Sequence, residues 1–224
     1  MLRLYDRRTG RAEPPPAGRG LRIQVLDGAG PRALVVTDLL RRVAERAGRR
    51  VRVVSTPAFA VERTWSDYGI APFEVLDTPI ADADVHVSSS AGGTGADLLT
   101  LIVPRETGAW EAADALSVRL AMLEVPYREP LELSEASVSR AADRLDGWRA
   151  AVARWATAPG RPMNREYAAE AETALADDLG SPAALDVLDR LADDAEVAPG
   201  AKLETFIHLD LLLALGLVSA IGSA

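Results

Sequence analysis

The chain has 224 residues, 48% of them hydrophobic and 26% charged, with a net charge of −8 and no cysteine. This is a globular composition, long enough for one large domain or two small ones. It excludes disulfides, thiolate metal sites and a cysteine nucleophile, and it argues against a broad phosphate-binding surface, which needs clustered Lys and Arg. Of the 25 Lys and Arg residues, Lys202 is the single lysine, so any chemistry that requires a lysine must use it. The longest apolar run, Leu211 to Ile221, falls short of the ~20 residues needed to span a bilayer. With no secretory leader read at its start, the expectation is a cytoplasmic protein without membrane contact.

In chain order, Leu2 to Asp6 reads as a short strand followed by a turn at Thr9-Gly10, and Pro14-Pro15-Pro16 with Gly18 as a stiff connection. Leu21 to Leu26 is apolar enough for a buried strand. Asp27-Gly28-Ala29-Gly30 makes a tight turn, with Pro31 suited to a first helical turn. Leu34, Val35, Leu39 and Val43 recur at helical spacing up to Ala47, and Gly48 closes the helix. Val51 to Val54 is a second buried strand. Strand, turn, helix and strand in this order form a βαβ unit, which predicts a parallel sheet.

The stretch from Phe59 to Ile80 carries weaker signals, with Trp65 and Tyr68 expected to pack on a helix. Asp84 to Val87 reads as a third strand, Ser88 to Gly95 as a loop, and Leu98 to Val103 as a further apolar run. Beyond Trp110 the period turns helical. Leu116 to Leu123 forms a short helix broken at Pro126. Ser134 caps the next, in which Val138, Ala141, Leu145, Trp148, Val152 and Trp155 share a face. Ala158 to Pro162 is a linker, Asn164 opens a helix closed at Gly180, Ser181-Pro182 caps and starts another, and the last runs from Leu203 to about Leu215 after Gly200. The expected fold is α/β: a reduced Rossmann-like parallel sheet over residues 1–108, followed by an all-α helical bundle over 109–224.

Four segments of this chain resemble, in family order, the cysteinyl-tRNA synthetase and mycothiol cysteine-ligase family of class I synthetase-like enzymes. Leu2-Arg3-Leu4-Tyr5-Asp6 is similar to the family's opening strand, and Thr37-Asp38-Leu39-Leu40-Arg41-Arg42 to its first catalytic helix. Asp114 to Leu123 with Tyr127-Arg128-Glu129-Pro130-Leu131 is similar to the segment after the KMSKS loop. Ala174 to Leu185 looks like the family's A-L-x-D-D-L motif. The resemblance implies that Asp27 and Gly30 stand where the phosphate-binding HIGH histidines belong. A carboxylate there has the wrong sign for ATP. It also implies that the signature lysine is missing between His86 and Leu98, that no Cys remains to hold zinc, and that the insert splitting the nucleotide fold is absent.

The candidate ligand-binding residues are therefore Asp27, Gly28, Gly30, His86, Ser88, Ser89, Gly92, Gly93 and Thr94, with no catalytic and no metal-binding residue. The glycine turn can cradle an anion on backbone N–H groups or simply join strand to helix. The Ser-Gly loop can be an anion nest or the scar of a lost signature. His86 can line the old cleft or be a structural histidine, and His208 reads as packing or surface. Asp177-Asp178 suits local capping and Arg pairing. The expected function is a non-catalytic small-ligand-binding or protein-interaction module without zinc or a resident cofactor, with ATP or AMP as possible ligands. A divergent ligase or transferase is the alternative. A homodimer or protein partner is expected and tRNA binding is not.

Overall fold

The computed structural model describes residues 1–7, 9–59, 65–90, 98–110 and 114–222. An antiparallel hairpin opens the fold, β1 (Leu4–Asp6) with β2 (Arg11–Glu13). The central sheet contains β3 (Gly20–Val25), β4 (Arg50–Ser55), β5 (Glu74–Val75), β6 (Val85–Ser88) and β7 (Leu99–Ile102). All its pairings are parallel, in the order β5-β4-β3-β6-β7. Helix α1 (Pro31–Arg46) packs on β3, β4 and β6. Leu21, Ile23, Val25, Val85 and Val87 are fully buried along the strands. A two-residue ladder, β8 (Thr107–Gly108) with β9 (Glu132–Leu133), flanks α2 (Ala115–Leu123). Helices α3 (Glu135–Trp155), α4 (Arg165–Ala176), α5 (Ser181–Asp193) and α6 (Pro199–Leu213) complete the chain. The α/β fold with a helical C-terminal part is therefore as expected, and one apolar core runs through both parts.

Some local expectations hold and others are corrected. Trp65 and Tyr68 lie on a 3-10 turn, Trp65–Tyr68, which packs on helix α2 as expected, although the turn itself did not stand out in the sequence. Ser181 does not cap α5: its hydroxyl donates to Leu123 O at 2.7 Å, and Gly180 holds the cap position. The last helix starts at Pro199, four residues earlier than expected, with Gly200 inside it. Any Cβ at Gly200 would collide with Pro159 O, so glycine is used there for close approach and not as a breaker. Trp148 and Trp155, on the shared face expected of α3, are core as read: they are buried against Phe206, with ring centroids 6.5 and 5.0 Å away. Lys202 is 7% exposed; its ammonium donates to Ala192 O at 2.7 Å and sits 5.5 Å from the Trp155 ring.

Sheet and bundle are joined by ions. Asp38 on α1 accepts from Arg42 Nε at 2.7 Å, from Arg119 at 2.9 Å, from the Ala71 amide at 3.1 Å, and from Arg41. Both Asp38 and Arg119 side chains are wholly buried. The rest of Arg119 is satisfied by Leu213 O at 2.7 Å and Tyr68 O at 2.9 Å, which ties α2 to α6 and to the 3-10 turn. Burial alone would raise the Asp38 carboxyl, but Arg119, Arg42 and the Ala71 amide hold it below the usual carboxylate range. Removing one member of such a pair strands the other without water. Asp38→Ala is expected to cost about 3–5 kcal/mol in urea unfolding. In the wild type the depressed carboxyl contributes stability above the unfolded-state pKa, and that stability is lost as pH falls through the lower folded value. Acid unfolding monitored with Asp38→Asn should lack this component.

Candidate functional site

The strand order reverses between β3 and β6, the two strands that lead in opposite directions from the sheet centre. In open parallel sheets the crevice beyond the carboxyl ends at such a switch point is the usual ligand position. The turn of Asp27, Gly28 and Gly30 follows β3, and Ser88 ends β6 with Ser89 just after it, so both segments lie at this edge of the sheet. The Ser89 hydroxyl donates to Gly28 O at 2.8 Å, and the Leu26 amide to Val87 O at 2.9 Å. Gly28 has φ 78°, a conformation that favours glycine. Ser88 turns its hydroxyl back onto Ser90 O at 2.9 Å. Gly92, Gly93 and Thr94 lie outside the described residues.

The N-terminus of α1 points into this crevice, and its anion position is filled from within. Glu106, on the connection after β7, accepts the Arg32 amide on Oε2 at 3.1 Å. Gly30 is in ordinary extended conformation, φ −95° and ψ 172°, so its backbone does not require glycine. A Cβ there would instead sit 2.7 Å from Glu106 Oε2. Burial pushes the Glu106 carboxyl above its ordinary range, opposed by hydrogen bonds from its own amide and that of Arg32. Asp27, the carboxylate singled out by sequence, is exposed beside the turn. Arg32, on the first turn of α1, is fully buried and donates to Val125 O and Pro126 O at 3.0 Å and to Glu129 O at 2.5 Å. Neither Glu106 nor Arg32 stood out in the sequence; both act through partners more than 70 residues away, and only the resemblance of Tyr127 to Leu131 hinted at that second segment.

His86 is in register with Gln24 and Thr100 and alternates with the buried Val85 and Val87, so it lies on the sheet face away from α1. Its Nδ1 is buried without a hydrogen-bond partner. Burial lowers its pKa and keeps the ring neutral. His208 instead bonds Glu172 Oε1 through Nε2 at 2.8 Å, between α6 and α4. Among the described residues no three His, Asp or Glu side chains gather as a metal site.

No protein-family model matches the chain. It is 43% identical over 82 residues to the L-cysteine:1D-myo-inositol 2-amino-2-deoxy-alpha-D-glucopyranoside ligase of Streptomyces griseus, covering 37% of this chain and 19% of that protein. The Thermomonospora curvata ligase of the same name is 37% identical over 112 residues, 48% of this chain and 26% of the relative. That of Parafrankia sp. is 34% identical over 132 residues, 58% and 27% respectively. The chain is similar to mycothiol cysteine ligases. The resemblance read from its motifs is thereby shown, while the matched stretches span only about a fifth to a quarter of those ligases.

In this ligase-like chain the D-D-L motif has a specific use. Asp178, at φ 55°, accepts the Tyr127 hydroxyl at 2.6 Å and the Tyr5 amide at 2.8 Å on Oδ1, and pairs with Arg128 at 3.0 Å. Asp177 pairs with Arg3 at 2.9 Å. The expected Arg pairing is present and Asp177 holds the C-cap position of α4, while the two acids also dock the opening strand onto the bundle. Asp178→Ala should cost about 2–4 kcal/mol in urea unfolding and speed hydrogen exchange at the Tyr5 amide. Asp178→Asn, which tolerates the left-handed backbone and still accepts, should lose less.

Proposed function

We propose that the chain is a non-adenylating relative of the cysteine ligases, acting as a small-ligand-binding or protein-interaction module on their scaffold. The observation that carries this reading is the Glu106 carboxylate at the N-terminus of α1, where an ATP phosphate would need the helix's free N–H groups. Like charges ~4 Å apart repel by about 1 kcal/mol in water and about 4 kcal/mol near a protein surface. The single lysine is buried in the bundle on Ala192 O, away from the crevice, so it does not take the place of a signature-loop lysine. No cysteine is present to hold a zinc that would grip a thiol substrate.

Charge distribution speaks against tRNA. Residues 109–224 carry a net charge of −10 and residues 1–108 a net charge of +2, so the helical part repels a phosphate backbone. A protein partner fits the C-terminal end better, where Leu211 is 66% exposed and Val218 and Ile221 are also exposed. The second reading, a divergent ligase or transferase using a nucleotide or aminoacyl donor, draws support from the unpartnered Nδ1 of His86.

Two measurements separate these. Cysteine-dependent ATP–pyrophosphate exchange is expected to stay at buffer background; exchange that disappears on changing His86 would replace the first reading by the second. A thermal-shift panel of ATP, AMP, cysteine, a cysteinyl-adenylate analogue and tRNA then tests small ligands. One present at about a hundred times its Kd stabilises by about 2.7 kcal/mol, a rise of about 5–10 °C for a chain of this size. Light scattering tests self-association: a dimer that becomes monomeric with Leu211→Asp supports the interaction module, and a wild-type monomer that captures no partner leaves small-ligand binding ahead.

A further inference from the structure

We propose that the cavity between the β8–β9 ladder and the first turns of α2 and α3 is a binding site for a small organic cation with an apolar body, an alkyl or aralkyl amine or guanidinium. The cavity shares no residue with the crevice at the switch point, so the proposal stands apart from the non-adenylating reading.

The cavity has a volume of about 820 Å³, within the ~300–1,000 Å³ typical of small-molecule sites, and it opens to solvent. Its floor is apolar. Trp110, Leu133 and Val138 are buried there, and an edge-to-face contact with Tyr68, ring centroids 6.2 Å apart, fixes the Trp110 ring. Gly108 lets one wall close up, since a Cβ at that position would sit 1.9 Å from Leu133 O. The rim is acidic: Asp114, Glu132 and Glu135 are exposed on it, and none of the described lining residues is Lys or Arg.

The sign of the site follows from the groups that border it. The N-termini of α2 and α3 lie on the rim, at Asp114 and Ser134, and each is equivalent to roughly half a positive charge. Three carboxylates oppose them, which leaves the rim at about −2. Asp114 is committed to its own helix, since its Oδ2 accepts the Ser117 amide at 2.9 Å and the Ser117 hydroxyl at 2.8 Å. The start of α3 is closed by Ser134 and Ser137, each of whose hydroxyls accepts the other's amide. Glu132 and Glu135 are therefore not needed as caps, and among the described residues neither forms an ion pair. Two such carboxylates above an aromatic and aliphatic floor hold a cation by charge, by the electron-rich indole and by burial of its hydrocarbon part. An anion is repelled by the same rim, and a wholly polar cation gains nothing from the floor.

Phenylbutylamine tests this on the intact chain, with phenylbutanol and phenylbutyrate as its neutral and anionic matches. The readouts are calorimetry and the NMR resonances of the Trp110 indole N–H and the Val138 methyls. The amine should shift both saturably, with a Kd of about 1 mM or tighter for a probe of this size, and the acid should bind at least about tenfold more weakly. Glu132→Gln/Glu135→Gln should weaken the amine about five- to tenfold, with the fold intact by circular dichroism. Ser139→Trp, at an exposed position of α3 on the cavity wall, should fill the mouth and abolish binding. The inference is overturned by the absence of a saturable shift, by shifts confined to other parts of the chain, or by full binding in either variant. Acid or alcohol binding as tight as the amine's overturns it too, because the carboxylates then contribute nothing. Should a variant not fold, the three probes on the wild type decide by themselves.

Discussion

Asp38 sits where the sheet, the 3-10 turn and two helices of the bundle come together, and none of its charge reaches water. An isolated carboxylate in such a place would be neutralised or would unfold the region. Three guanidinium groups and a backbone amide prevent this, and each guanidinium also closes carbonyls on other elements: Arg41 on Pro72, Arg42 on Gly69 and Leu211, Arg119 on Tyr68 and Leu213. The relative placement of α1, α2 and the end of α6 therefore follows from satisfying one acid. Everything at the switch point hangs from α1, so the geometry of the crevice depends on this buried pair some two turns away.

Much of the fold was legible because it follows from local periodicity. Leu34, Leu39 and Val43 mark α1, and Val138, Leu145 and Val152 mark α3, through spacing alone. Ser134 and Asn164 were readable as caps because capping is a contact over two or three residues; both accept amides as expected. Ser181 misled for the same reason: a Ser-Pro pair has the local form of a helix start, yet the hydroxyl serves α2 across 58 residues. Gly200 looked like a breaker because glycine's local meaning is a turn, whereas here its value lies in the chain crossing it. The strand β2 carries only three residues, too few to show a period.

The site was half legible. The turn at Gly28 and the end of β6 were found because both follow buried strands, and the parallel order brings successive strand ends to one edge. At the glycine turn the sequence singled out Asp27, whereas the carboxylate that accepts the Arg32 amide is Glu106. Asp27 is adjacent in sequence and points to solvent; Glu106 comes from a connection with no periodicity, and nothing local distinguishes it from Glu111 or Glu129. Long-range side-chain-to-backbone contacts of this sort leave no trace in spacing, since they are set by how the whole chain closes.

The burial of Lys202 has a consequence for the chain's covalent chemistry. With a single ε-amine, held between Ala192 O and the Trp155 ring, the folded protein presents no lysine to acylating reagents, to amine-reactive cross-linkers or to enzymes that attach isopeptide tags. Such chemistry at a side chain becomes possible only when α5 and α6 part, so acylation of Lys202 would count openings of the bundle one molecule at a time, and any cellular tagging system that requires a lysine would meet this protein only in its unfolded form.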